Sequence, residues 1–410
     1  MHIFIFFSII ITLAAAFAYI NVRLLKLPLS ILFISMGAII SLVLITAGHL
    51  FPSSTQFIKQ ELASIDFSEF LLGILLSFLL FAGSLRLSLK QMKASAKSIT
   101  VFATIGVLIS TFLIGTAAYY LLHLFNLDVP YINCLLFGAL ISPTDPVAVL
   151  SILKEAKISD SIKIKIEGES LFNDGIGIVV FVTILQVAGN GIENLHFSSV
   201  AILFLREAVG GIIAGFIIGY IGYRLVRSID HFQTEILITL AMVMGGYSLC
   251  HFLHVSGPLA MVVAGLITGN KSMDGAMSDI TRDYTEKFWE ITDEILNTIL
   301  FILIGLQLVI ISFQFNLLAI GLITAILLII VRYISLFLPA FSFFFKKDMK
   351  DKTLEIMTWG GLRGGISIAL ALSLPQSMYK EIFVPVTFVI VLFSIVVQGL
   401  SMKWFVKNLS

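Results

Sequence analysis

Between Ile166 and Ile178 the chain sets three acids, Glu167, Glu169 and Asp174, together with Ser170 and Asn173, at the head of a membrane-length apolar run. On a helix Ser170 and Asp174, four residues apart, share one face, and Glu169 and Asn173 occupy the adjoining stripe. Ionisable groups inside a spanning helix are costly and face a partner or a cavity, so they point to ion or proton handling. A second carboxylate, Asp145, lies in Ser142-Pro143-Thr144-Asp145-Pro146 at the middle of the preceding apolar run. Two prolines three residues apart open the helical hydrogen-bond ladder there. Carbonyls freed by the break, that of Thr144 among them, join the two carboxylates and the Ser170 hydroxyl in an all-oxygen set suited to a hard cation. Close, desolvated carboxylates also share a proton. Cation and proton then compete for one site, and either relieves its buried negative charge. That is sufficient for antiport when the empty charged site is held back from crossing.

Asn173, being neutral, reads as a hydrogen-bonding strut, which leaves Asp174 as the titrating member of that pair. Glu169 is a natural partner for Arg332 or Arg363; the alternative is a helix-start carboxylate near the cytoplasmic face, together with Glu167. Glu167 itself reads as an entrance residue rather than a ligand.

The elements that must position these groups are membrane helices. Hydrophobic residues make up 58% of the 410 residues against 12% charged, and the mean hydropathy is +1.04, values outside the range of a soluble domain. Apolar runs predict about thirteen spans, at 3–20, 29–50, 65–85, 99–124, 131–153, 166–188, 197–227, 232–253, 256–270, 286–311, 316–345, 353–373 and 382–405. The first is read as a retained helix rather than a signal peptide, because no basic region precedes it and the run is long. The tenth is preceded by a charged, amphipathic turn from Arg282 to Glu294. Of the 26 basic residues, 21 fall in the connections after odd-numbered spans or in the tail, and only Lys59 and Lys380 in the even connections. The positive-inside rule then puts the N-terminus outside and the C-terminus in the cytoplasm.

The remaining basic residues, Arg206, Arg332 and Arg363, lie inside predicted spans and need partners. Arg206 has Glu207 beside it and reads as structural or interfacial, whereas the other two have no local acid. Span twelve carries Trp359-Gly360-Gly361-Leu362-Arg363-Gly364-Gly365, whose four glycines weaken a helix as the prolines do in span five. If spans one to six and eight to thirteen are two inverted repeats, each break falls in the fifth helix of six. Paired interruptions of that kind mark a transporter's binding site. A net charge of +1 gives no hint of nucleic-acid binding, and Cys134 and Cys250 in apolar runs suggest neither a disulfide framework nor a metal site. His251 and His254, three apart at a span end with no third ligand, read as interfacial.

Thr144-Asp145-Pro146, the Glu-x-x-x-Asn-Asp run from Glu169 to Asp174, and Gly360-Gly361-Leu362-Arg363-Gly364-Gly365 together resemble the sodium/proton exchangers of the monovalent cation:proton antiporter superfamily, first branch, prokaryotic type. The resemblance covers essentially the whole chain. It implies an all-α polytopic fold of two inverted six-helix repeats, working as a homodimer in the cell (inner) membrane without a cofactor. Residues 1–90 and 232–311 would form scaffold or dimerisation helices, 99–188 and 316–407 an ion-transporting six-helix core, and 197–227 a linking helix. Asp174 would bind the ion and proton, with Asp145, Ser170 and the Thr144 backbone contributing. Glu169 would pair with Arg332, and Arg363 would steady the unwound crossing. Asn173 before Asp174, rather than a second Asp, resembles the electroneutral branch and implies one Na⁺ (or Li⁺) for one H⁺. Two features depart from the pattern. Phe81 is followed by Ala82 and Gly83 where many members carry an acid, and no long regulatory tail follows Trp404, so regulation by a tail-binding partner is not expected. The rival readings are a K⁺/H⁺ antiporter of the same fold and, more remotely, an intramembrane aspartyl protease. The protease's Gly-x-Gly-Asp motif stands here in the wrong order, since Asp174 precedes Gly175 and Gly177.

Overall fold

Backbone groups in hydrocarbon must pair within the chain, and every described element of the computed structural model is helical. The structure describes residues 2–25, scattered positions between 32 and 46, 73, 75–145, 149, 158–190, 197–271, 275, 277–307, 314–343 and 352–409. Most of the predicted second span, the start of the third, Lys59, Pro146, Lys154, Lys157 and residues 344–351 lie outside the described residues.

Helix α1 (His2–Ile20) continues into a π-helical turn, Asn21–Leu25. Then follow α2 (Leu76–Leu85), α3 (Leu89–Met92), α4 (Ala96–Val101), a π segment at Phe102–Gly106, α5 (Val107–Leu124) and α6 (Tyr131–Ile141). Four long helices come next: α7 (Asp160–Asn190), α8 (Phe197–Arg227), α9 (Phe232–Phe252) and, after the shorter α10 (Gly257–Lys271), α11 (Asp279–Gln307). The chain closes with α12 (Phe315–Ser342), α13 (Thr353–Trp359), α14 (Gly365–Leu372), α15 (Lys380–Phe393), a π segment at Ser394–Gly399 and α16 (Leu400–Leu409).

Among the described residues six helices are long and apolar enough to cross a membrane: Ala96–Leu124, Asp160–Gly189, Ser198–Arg227, Phe232–Phe252, Phe315–Ser342 and Lys380–Asn408. Four shorter apolar helices accompany them, at Ser8–Leu24, Leu76–Leu85, Tyr131–Ile141 and Gly257–Asn270. Helix α7, with 31 residues, is ~46 Å long at 1.5 Å per residue and so outruns a hydrocarbon core of ~30 Å. Helix α11 begins well before the predicted 286. The amphipathic turn is part of it, held by Asp283–Lys287 and Arg282–Glu286 pairs, each at 2.7 Å.

Close approach between helices depends on small residues, since lipid gives them no hydrophobic reason to associate. Gly211, Gly215 and Gly219, one per turn of α8, lie against Ser256, just before α10, and Ala260 and Ala264 of α10. On α6, a Cβ at Gly138 would overlap the Thr111 carbonyl of α5. The opposite face of α8 is exposed through Ile202, Leu205, Ile213 and Phe216, as suits a lipid-facing surface.

Helices α4 to α7 pack with α12 to α16, and α2 with α8 to α11. In the second group Trp289 anchors a cluster with Phe81, Met242 and Met261. Its ring centroid is 4.8 Å from that of Phe81, and its indole N–H donates to Thr239 at 3.0 Å. The groups meet through aliphatic contacts: Leu171 of α7 against Gly83, Leu259 of α10 against Gly175, and Leu300 and Ile304 of α11 against Gly365.

Candidate ion-binding site at the crossing of two broken helices

Helix α6 stops at Ile141 and residues 142–145 are not helical; α13 stops at Trp359 and helix resumes only at Gly365. Pro143 lacks an N–H, and the glycines at 360, 361 and 364 give no side-chain support to a helix. The two unwound stretches cross and bond to each other. The Asp145 N–H donates to the Leu362 carbonyl at 2.8 Å. The Arg363 guanidinium donates through Nη1 to the carbonyls of Ser142 and Pro143, the latter at 3.0 Å. Gly364 abuts the Asp145 carboxylate so closely that a Cβ there would overlap it.

Helix α7 lies alongside and presents its polar stripe to the crossing. Ser170 Oγ is 3.2 Å from Thr144 Oγ1. The Asn173 amide donates to Thr144 Oγ1 at 3.2 Å and to Glu169 Oε1 at 3.1 Å, so both its protons brace the break against α7. Glu169 receives Arg332 in a bidentate pair, Nη1 to Oε1 at 2.9 Å and Nη2 to Oε2 at 2.7 Å. Arg363 sits elsewhere, on the carbonyls of the crossing. Asp174 is 5% exposed, and its Oδ1 has no hydrogen-bond partner in the protein. The charges of Asp145 and Glu169 both act on it. Asp145, Thr144, Ser170 and Asp174 are thus gathered at the crossing, while Asn173, Glu169, Arg332 and Arg363 surround it. Among the described residues no group of three or more His, Cys, Asp or Glu side chains could hold a metal ion. The two carboxylates and the hydroxyl and carbonyl oxygens around them form a set of hard oxygen donors.

Sequence reasoning missed several polar residues of the crossing. Ser142 Oγ donates to the Gly138 carbonyl at 2.7 Å, so Thr111, 3.1 Å away, donates to it. The Arg363 N–H donates to Ser394 Oγ at 2.9 Å, and Ser394 donates to Gln398 Oε1 at 2.7 Å. The available signal was weak: polar residues four apart in an apolar span. Of the other singled-out residues, Arg206 donates to the Leu253 carbonyl at 3.1 Å and caps the end of α9. His251 and His254 are exposed beside it. Cys134 and Cys250 are buried and free.

Comparison with known proteins agrees with this architecture. Residues 10–408 match the family described as sodium/hydrogen exchanger, transmembrane. The chain is 43% identical to the Na(+)/H(+) antiporter NhaP of Pseudomonas aeruginosa, over 97% of this chain and 95% of that one. It is 32% identical to the Na(+)/H(+) antiporter NhaH of Halobacillus dabanensis, over 100% and 99%. Its fold is similar to that of the sodium proton antiporter MjNhaP1 from Methanocaldococcus jannaschii at pH 8, with a TM-score of 0.77 at 21% identity over 100% of this chain and 99% of that one. With nearly its whole length matched, the chain belongs to the sodium/hydrogen exchanger family, whose members are multi-pass cation/proton antiporters rather than enzymes.

Proposed function

We propose that the protein exchanges Na⁺ or Li⁺ for H⁺ at Asp174, with Asp145, Ser170 and Thr144 completing the site. The observation that carries this reading is the Asp174 carboxyl, buried beside a second acid with one oxygen unpartnered by the protein. Such an oxygen requires a proton or a cation. Asn173, Glu169, Arg332 and Arg363 are then positioning residues, because their hydrogen bonds run to one another, to the Thr144 hydroxyl and to the crossing backbone rather than to Asp174. In proteoliposomes Na⁺ or Li⁺ drives proton efflux, and Asp174→Asn abolishes it. Undiminished cation-driven pH change in that variant overturns the assignment. A cation series that includes K⁺ decides between this reading and a K⁺/H⁺ antiporter.

Alternating access follows as motion of the 99–188 and 316–407 helices against the 1–90 and 232–311 scaffold, joined by 197–227. The contacts of Leu171, Leu259 and Leu300 across that seam are aliphatic and favour sliding. Neutral Asn173 beside Asp174 supports one-for-one, electroneutral exchange. In the same reading the chain is a homodimer of inverted six-helix repeats with its N-terminus outside, and cross-linking and accessibility labelling test those features.

A further inference from the structure

In hydrocarbon an unwound segment needs a partner for every backbone N–H, and the Arg363 N–H finds one outside its own helix. It donates to Ser394 Oγ, whose own hydrogen goes to Gln398 Oε1. Both side chains are buried and belong to the π segment Ser394–Gly399 within the otherwise α-helical run from Lys380 to Leu409, a local widening often found at functional positions. Several hydroxyls in the long helices do otherwise. Thr104, Thr116, Thr183 and Thr268 each return their hydroxyl proton to the carbonyl four residues back in their own helix. Ser394 instead donates forward to a side chain, which leaves its lone pairs for Arg363. The same Arg363 holds the Ser142 and Pro143 carbonyls through its guanidinium, and Leu362 beside it accepts from the Asp145 N–H. A water-sized cavity lined by Arg332, Thr358, Gly361, Arg363, Ser394 and Gln398 lies directly behind this chain of bonds. The crossing strand therefore has room to fall back once its support is removed.

We propose that Ser394 and Gln398 form a latch that holds the 361–364 strand in register and so sets the position of Asp145 and Thr144 for the ion. They are positioning residues: they act through Arg363 and Leu362 and touch neither carboxylate. The inference rests on the antiport reading above, and one experiment separates the two. Na⁺-driven proton exchange is measured in proteoliposomes over a range of Na⁺ concentrations and pH for the wild type, Ser394→Ala, Ser394→Thr, Gln398→Leu and Ser394→Ala with Gln398→Leu. The loss of one buried hydrogen bond raises the apparent KM for Na⁺ ~10-fold in Ser394→Ala and in Gln398→Leu, with a displaced pH profile and Vmax per folded transporter within about two-fold. Ser394→Thr, which keeps the hydroxyl, stays near the wild type. The double variant is no worse than either single one, because the pair acts as a unit. If a variant inserts poorly, the Na⁺ concentration that half-stabilises the purified protein against heat supplies the same comparison on the folded fraction. A wild-type KM and pH profile in both single variants, or additive losses in the double one, overturns the latch. A wild type without Na⁺- or Li⁺-driven exchange overturns the antiport reading itself.

Discussion

Glu169 and Arg332 offer the sharpest test of how the site is held. The pair is bidentate, Glu169 is 1% and Arg332 4% exposed, and both sit amid apolar helices. Arg332→Gln leaves Glu169 charged with only the Asn173 amide as donor. Glu169→Gln preserves an acceptor for Asn173 but strands a buried guanidinium whose Nε already lacks a partner. Removing one member of a buried pair costs about 3–5 kcal/mol, most of it the desolvation of the charge left behind. The double variant has no stranded charge, and two amides can bond across the gap, so its loss stays within the larger single loss. The expected coupling is therefore about 3 kcal/mol. Denaturant titration in mixed micelles, followed by tryptophan fluorescence, measures all four corners of the cycle; Trp359, stacked on Phe405 in the same bundle, reports on it. Losses that sum to about 6–10 kcal/mol in the double variant refute the reasoning, because the two charges would then be stabilised independently.

Gly364→Ala forces its methyl into the space of the Asp145 carboxylate; an overpacking strain of about 1–3 kcal/mol is expected to weaken Na⁺ affinity at least several-fold, read as KM in the flux assay. Gly138→Val separates α6 from α5 at the Thr111 carbonyl and is expected to lower the unfolding midpoint in a denaturant titration. Imposing a membrane potential with a potassium ionophore is expected to leave the exchange rate unaltered; a several-fold acceleration refutes one-for-one stoichiometry.

The polar stripe on α7 and the two breaks were legible because acids, prolines and glycines are conspicuous in an apolar chain. The start of α11 was not. Hydropathy registers only the membrane-length part, whereas intrahelical pairs such as Arg282 with Glu286 extend the helix into water. The all-helical, multi-pass character is legible from the apolar runs, but single-helix length does not count the spans, since a broken span yields short pieces such as Tyr131–Ile141 and Gly365–Leu372. Gly364 could be read as weakening a helix, but its contact with Asp145 belongs to tertiary structure. Ser394 and Gln398 escaped because neutral side chains barely disturb an apolar run, and a π segment leaves no mark in the residue pattern.

The grip of Arg363 on the Ser142 and Pro143 carbonyls spans 221 and 220 positions of the chain. During synthesis α6 enters the bilayer with its break already made by Pro143, yet the guanidinium that satisfies those carbonyls does not exist until the ribosome has travelled that distance. At ~5–20 residues per second the delay is on the order of tens of seconds. Throughout it the first half must keep those carbonyls supplied by water or by the translocation machinery. The crossing is thus a late event in biogenesis, and the protein's second half is the chaperone of its first.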